Sequence, residues 1–259
     1  MLSDLAKGST EAQADVEKAL KLAGSDWRTG LFASRFFFEK GNPLKAEELA
    51  KDFYAKNPLN YYLGLHYAKM LQRNGNYSAC VSLLQKIAVL PNEGATEGRT
   101  IWRFANIGKA LDEMKTKNFK KALESIGIAR QWPFNLGVGK PYLVDESLED
   151  YIAYQAYTKL KDKKSAETMD KNIILALDKQ EHPADVHRFL SALIFRKNGN
   201  QTKADQIMKE MLEKNPTLKL VQWSQAYYYN KTEEAMNIAK QVDDNDVVLK
   251  LLIRSVGLD

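Results

Sequence analysis

Residues Gly199 to Pro216 read GNQTKADQIMKEMLEKNP, and along them Gly199, Ala204, Met208, Met211 and Pro216 follow one another at offsets of five, four, three and five residues. The same frame stands far upstream as Gly41, Ala46, Ala50, Phe53 and Pro58. Both copies close on Lys-Asn-Pro, at Lys214 to Pro216 and at Lys56 to Pro58. A pattern of small residue, large apolar residue and proline that recurs at a few tens of residues predicts stacked helical repeats. Its physics is local. A small side chain at a crossing point lets two antiparallel helices approach, and apolar residues four and seven positions later share that face. Proline beyond the second helix stops it and turns the chain back.

Outward from these copies, each unit reads as helix A, a tight turn, helix B and a connector. Helix pairs are expected over 27–40 and 44–56, 61–73 and 77–90, 98–115 and 119–131, 148–160 and 165–177, 187–197 and 202–214, and 218–229 and 233–242. Their small positions on helix B are Ala46, Cys80, Ala122, Ala166, Ala204 and Ala235. The repeats so defined cover about 26–58, 59–91, 98–133, 146–178, 183–216 and 217–243. A helix over 10–22, with Ala12, Val16, Ala19, Leu20 and Ala23 on one face, precedes them. A last helix at about 245–256 is expected to cover the open face of the sixth repeat, since terminal repeats need a cap. After Pro133 an eleven-residue loop, NLGVGKPYLVD, interrupts the pattern.

The frame resembles the tetratricopeptide repeat (TPR) family: a small residue, a large apolar residue and a proline on the second helix, after a glycine turn. Phe37 and Leu71 stand where that family has a large residue on helix A, and Tyr77 and Phe119 match its aromatic at the start of helix B. The resemblance covers about residues 26–242. Helix A often lacks the family's tryptophan and glycine, and repeats two to four are longer than usual. It implies an all-α fold, a right-handed α-solenoid of about six TPR-like hairpins with capping helices at both ends, forming a single domain over 1–259. Asn60–Leu71, Pro91–Arg99 and Arg130–Tyr151 also look like the TPR region at the C-terminal end of large bacterial proteins that carry β-rich, carbohydrate-enzyme-like domains of unknown function ahead of it. That likeness implies a fragment or a stand-alone relative and carries over no functional residue.

Composition sets limits on function. The chain has 259 residues, 44% hydrophobic and 27% charged, which suits a folded chain rather than a disordered one. No apolar run approaches the roughly 20 residues that cross a bilayer, and MLSDLAKGSTEAQADVEKALKLAG lacks the basic start and apolar core of a secretory signal. A soluble protein of cytoplasm or periplasm is the expectation, with no membrane insertion. The net charge of +5 arises from lysines at turns, such as Lys115, Lys117, Lys120 and Lys121, so no nucleic-acid partner is expected. Cys80 is the single cysteine, and its place at a small position makes it a buried, inert thiol.

Catalytic, cofactor and metal sites are not expected. The run Asn135 to Tyr142 lacks the spacing of a phosphate loop and follows a helix rather than a strand. His66, His182 and His187 do not fall at a metal-ligand spacing. The three Asn-x-Ser/Thr triplets, at Asn76, Asn200 and Asn230, fall in the turns between helices A and B and read as turn residues.

In TPR arrays helix A lines the concave groove. Counting from the small position on helix B assigns to that groove Arg28, Arg35 and Phe38, then Tyr62, Lys69, Gln72 and Arg73, then Phe104, Tyr151, Gln155, Tyr227 and Tyr228. Lys140 and Tyr142, in the inserted loop, would flank it. Tyrosine and arginine dominate interface energetics, so the expected function is a non-catalytic scaffold that holds a peptide, a partner protein or its own missing N-terminal domain. The basic end from Arg28 to Arg73 favours an acidic segment. Two alternatives belong to other classes. One is an accessory module of a carbohydrate-processing protein, whose aromatic groove contacts sugar or the catalytic domain. The other is a helical-repeat enzyme with acids drawn from several repeats.

Overall fold

A computed structural model describes residues 10–91 and 94–257. Fourteen α-helices, one 3-10 turn and no strand make up the regular structure among the described residues. No helix among them is long and apolar enough to cross a membrane. The chain divides into two compact units. One runs to Ala105 and takes in Trp132–Lys140; the other consists of Asn106–Gln131 and the residues from Pro141 onward.

In the N-terminal unit, α1 (Thr10–Leu22), α2 (Trp27–Glu39), α3 (Pro43–Lys56), α4 (Tyr61–Arg73) and α5 (Tyr77–Leu84) follow in order, and α6 (Glu97–Lys115) begins there. Helices α1 to α5 pack on one another in succession, α2 also lies against α4, and α4 reaches α6 through Gln72 and the Ile101 carbonyl. The C-terminal unit holds the end of α6, α7 (Phe119–Ala129), α8 (Ser147–Lys159), α9 (Lys163–Lys179), α10 (Asp185–Lys197), α11 (Gln201–Lys214), α12 (Lys219–Tyr228), α13 (Thr232–Lys240) and α14 (Val247–Val256). There the pattern recurs: α8 on α9 and α10, α10 on α11 and α12. The architecture is all-helical and repeat-like, with neighbouring helices packed in pairs.

Equal backbone geometry at the turns produces this recurrence. At six junctions one residue adopts the left-handed conformation: Gly41, Gly75 and Gly199 at φ of 74–82°, and Lys117, Lys161 and Asn230 at 57–62°. In each case the following N–H donates to a carbonyl five residues back, at 2.8–2.9 Å, as from Asn42 to Phe37 and from Asn200 to Phe195. These are the helix-closing bonds that satisfy last-turn carbonyls. Asn42, Asp162 and Asn200 then cap the next helix through their side chains at 3.1–3.2 Å. The two Lys-Asn-Pro copies also agree, with Asn57 at φ −136°, ψ 59° and Asn215 at −135°, 57°.

All six small positions on helix B are buried. Two further small positions lie on the first helices. A Cβ on Gly30 would stand 2.1 Å from the Phe53 ring, and one on Gly64 would stand 2.8 Å from Ile87. Around them Leu49, Phe36, Phe37, Leu63 and Met70 fill the core of the N-terminal unit.

One expected helix differs from what the structure holds. The helix expected over 77–90 ends at Leu84. Asn135, some fifty residues on, donates through Nδ2 to the carbonyls of Leu84 (2.9 Å) and Ile87 (2.7 Å), and its own carbonyl accepts from Val89 N at 2.8 Å. That side chain satisfies the terminal carbonyls and draws 85–90 out of the helix, while Leu136 buries itself and Gly137 rests against Val89. The last helix, α14, meets α12 of the sixth repeat through Tyr227 and also packs on α8, and the carbonyls of its last turn accept hydrogen bonds from Gln155 and Tyr227.

Candidate functional site

The N-terminal unit gathers its basic and aromatic side chains on the α2–α4 pair. The guanidinium of Arg28 lies 4.5 Å over the Trp27 ring. Trp27 stacks on Tyr62 at 6.4 Å and 11°, and Tyr62 stacks on Tyr61 at 4.2 Å. Tyr62 is 57% exposed, and Arg28 and Arg35 are exposed as well. At the other end the Arg73 guanidinium lies 4.4 Å from the centre of the half-buried Phe38 ring. Lys69, between them in sequence, meets Glu97 at 3.3 Å. Aromatic faces hold the two stacked guanidinium groups in place, so less side-chain entropy is lost when they bind an anion.

His66 registers the local charge. It lies buried beneath this face with its Nε2 2.7 Å from Ser34 Oγ. Burial first, then the positive charges of Arg35, Lys69 and Arg73, depress its pKa from 6.5 to about 3. Arg35 belongs to α2 and Lys69 and Arg73 to α4, the two helices that the Ser34–His66 bond joins.

The other predicted residues are less uniform. Gln72 is buried and donates to the carbonyl of Ile101 at 3.0 Å, which makes it a brace between helices. Phe104 is half-buried, with Arg103 5.7 Å from its ring centre. In the C-terminal unit Tyr151 is buried, and its hydroxyl is pushed up to about 12 by that burial. Gln155 donates to the Ser255 carbonyl at 2.8 Å, and the Tyr227 hydroxyl to that of Val256 at 3.5 Å. Tyr228 turns the other way: buried, it donates to Asp205 at 2.8 Å and accepts from Gln201 at 3.0 Å, with Arg196 over its ring. Gln72, Tyr151 and Tyr228 are thus held inside, and Gln155 and Tyr227 are engaged by α14. Lys140 is exposed and Tyr142 fully so.

Other candidate chemistry is structural where it is described. Cys80 is buried, its thiol pushed far up by burial and donating to the Ala68 carbonyl at 3.1 Å. His187 is buried and bonded through Nε2 to the Ile173 carbonyl at 2.8 Å. Among the described residues no group of three or more His, Cys, Asp or Glu side chains is placed to hold a metal ion. Among the described residues Asp150 is the carboxylate raised markedly, to about 6. Burial outweighs its 2.5 Å pairing with Arg130, and Glu146, Glu149 and Asp145 add to the rise. A search of protein-family models and of curated protein sequences finds no match to the chain.

Proposed function

We propose that the chain is a non-catalytic, TPR-like scaffold whose N-terminal unit binds an acidic segment of a partner protein on the α2–α4 face. The observation that carries the reading is the presence of Arg28, Arg35, Lys69 and Arg73, with Trp27, Tyr62 and Phe38, along that helix pair. Two of the guanidinium groups are presented by aromatic rings, an arrangement that suits carboxylates while leaving apolar area for the partner's backbone and side chains. The resemblance of the Gly-Ala-Pro frame to TPR hairpins supports a binding role for first-helix residues, and these side chains all lie on first helices.

The test compares the purified chain with its Arg35→Glu, Arg73→Glu double variant as bait, with captured proteins identified by mass spectrometry. Circular dichroism melting serves as the control for folding. A partner whose acidic segment, made as a peptide, binds wild type and loses at least tenfold in affinity with the variant supports the reading. Salt should weaken the same complex. Partners captured equally by both baits would place binding elsewhere.

A further inference from the structure

We infer that α8, α12 and the end of α6 form a receptor for an amphipathic helix, occupied in this chain by α14 as a resident ligand that a partner's helix of the same pattern can replace. The inference concerns the C-terminal unit and stands apart from the acidic-partner reading of the N-terminal one.

The sequence of α14, VVLKLLIRSV, buries Leu249, Leu251, Leu252, Ile253 and Ser255. Its two cations lie outside that set: Lys250 pairs with Asp244, and Arg254 meets Asp112 of α6 at 2.6 Å. What the unit offers in return is chemistry for a helix end. Every α-helix leaves its last carbonyls without intrahelical partners. Here the carbonyls of Ser255 and Val256 accept from Gln155 of α8 and Tyr227 of α12. Beyond them opens a cleft of about 600 Å³, bordered by Lys115, Lys159 and the apolar Leu111 and Met114. Cations there suit the negative end of a helix dipole. Such donors recognise a helix terminus rather than one sequence. Specificity falls to the apolar stripe and to the charge pair of Arg254 with Asp112.

The same features make α14 replaceable. It packs on α8 and meets α6 and α12 at Asp112 and Tyr227, whereas α8 is also held by α7, α9 and α10 and keeps its place without it. The connector that delivers α14 is polar, with Gln241, Asp243, Asp244 and Asn245 exposed. Departure of the helix therefore uncovers the receptor without dragging out buried connector residues. The partner that fits is a helix of about three turns with leucine or isoleucine at the positions of Leu249, Leu251, Leu252 and Ile253 and an arginine or lysine next. Tethering raises the effective concentration of α14, so a partner must compete with it.

The probe is a labelled peptide of residues 246–257, with a scrambled peptide as control. It is titrated into the full chain and into full-length Leu252→Asp and Arg254→Asp variants, the latter placing a carboxylate against Asp112. At least tenfold tighter binding by a folded variant than by wild type is expected, with the scrambled peptide inert. Adding Gln155→Ala to that variant should weaken the peptide again. Binding by the folded variants no tighter than by wild type, or no better than the scrambled peptide, overturns the inference. Amide exchange of the unaltered chain decides independently of whether the variants fold. Amides of α14 should exchange at least tenfold faster than those of α8 and α10, and equal protection overturns the inference.

Discussion

Ser34 and His66 share one proton arrangement. The Ser34 hydroxyl lies 2.6 Å from the Ala46 carbonyl and 2.7 Å from His66 Nε2. A carbonyl can only accept, so the single hydroxyl hydrogen points to Ala46, and His66 must donate from a protonated Nε2. Helix α2, the small position of α3 and helix α4 are thereby joined through a neutral imidazole. Ser34→Ala removes the acceptor and leaves a buried N–H without a partner, a cost of about 1–3 kcal/mol. Urea unfolding of the variant against wild type measures it. A change well under 1 kcal/mol would deny the bond its structural role.

Acid should act on the two units with opposite sign. The His66 pKa is about 3 in the fold against an ordinary 6.5, so its stabilisation is present above pH 6.5 and is lost as the pH falls toward 3. For Asp150 the folded value is about 6 against 3.8. Its contribution is full below pH 3.8 and is lost as the pH rises through 6. Between pH 7 and 4.5, His66 thus weakens the N-terminal unit and Asp150 strengthens the C-terminal unit, each by on the order of 2–3 kcal/mol. Amide exchange in α4 and α8, corrected for intrinsic rates, reads the two separately. His66→Gln should flatten the pH response of the first, and Asp150→Asn that of the second. Unchanged slopes in both variants would refute the assignment.

The six left-handed turn residues predict a set of substitutions. Lys117, Lys161 and Asn230 hold φ near 60°, a conformation that crowds Cβ against the backbone. Lys117→Gly and Lys161→Gly should each stabilise the fold by about 1 kcal/mol, and Asn230→Gly by less, since asparagine tolerates that region. Gly199→Ala should cost about 1 kcal/mol for the same reason. Thermal unfolding checks all four. A destabilising Lys117→Gly would mean that unfolded-state entropy outweighs relief of the crowding.

How much of this was legible in the sequence depended on the range of the forces involved. The Gly199–Ala204–Pro216 frame is set by backbone and crossing-point sterics within one hairpin, so it could be read directly, and Ala204 and Ala46 are fully buried as it requires. Lys117 and Lys161 carry the same turn without glycine, because the helix-closing bonds hold residues that merely tolerate it. The end of α5 could not be read, since Asn135 decides it from fifty residues away. On the candidate site, counting by helical period grouped Arg28, Phe38, Tyr62 and Arg73, which lie on α2 and α4, the helices joined by the Trp27–Tyr62 stack and the Phe38–Arg73 contact. It failed at Tyr228, whose hydroxyl reaches Asp205 of a different helix. It could not foresee the contacts of α14, whose seat against Gln155 and Tyr227 is long-range packing. Trp27, which holds both Arg28 and Tyr62, was missed although it adjoins Arg28; its spacing to Tyr62 crosses a hairpin.

The large-for-small exchange at Gly30 and Phe53 gives the sharpest packing prediction. A Cβ at Gly30 would stand 2.1–2.6 Å from three atoms of the Phe53 ring, which is itself buried. Alanine normally stabilises a helix interior by about 1 kcal/mol over glycine. At Gly127 of α7, where a Cβ would meet nothing within 4 Å, that gain should appear almost undiminished. At Gly30 the ring must move off its rotamer or the helices must part, which costs about 1–3 kcal/mol and reverses the sign. Phe53→Ala alone opens a cavity worth about 3–5 kcal/mol. In the Gly30→Ala, Phe53→Ala double variant the new methyl enters that cavity, so the combined loss should fall below the sum by 1 kcal/mol or more on the usual scale for touching residues. Urea unfolding of the two single variants, the double variant and Gly127→Ala tests the relation. Additive losses would mean that Gly30 is small for some reason other than the ring it faces.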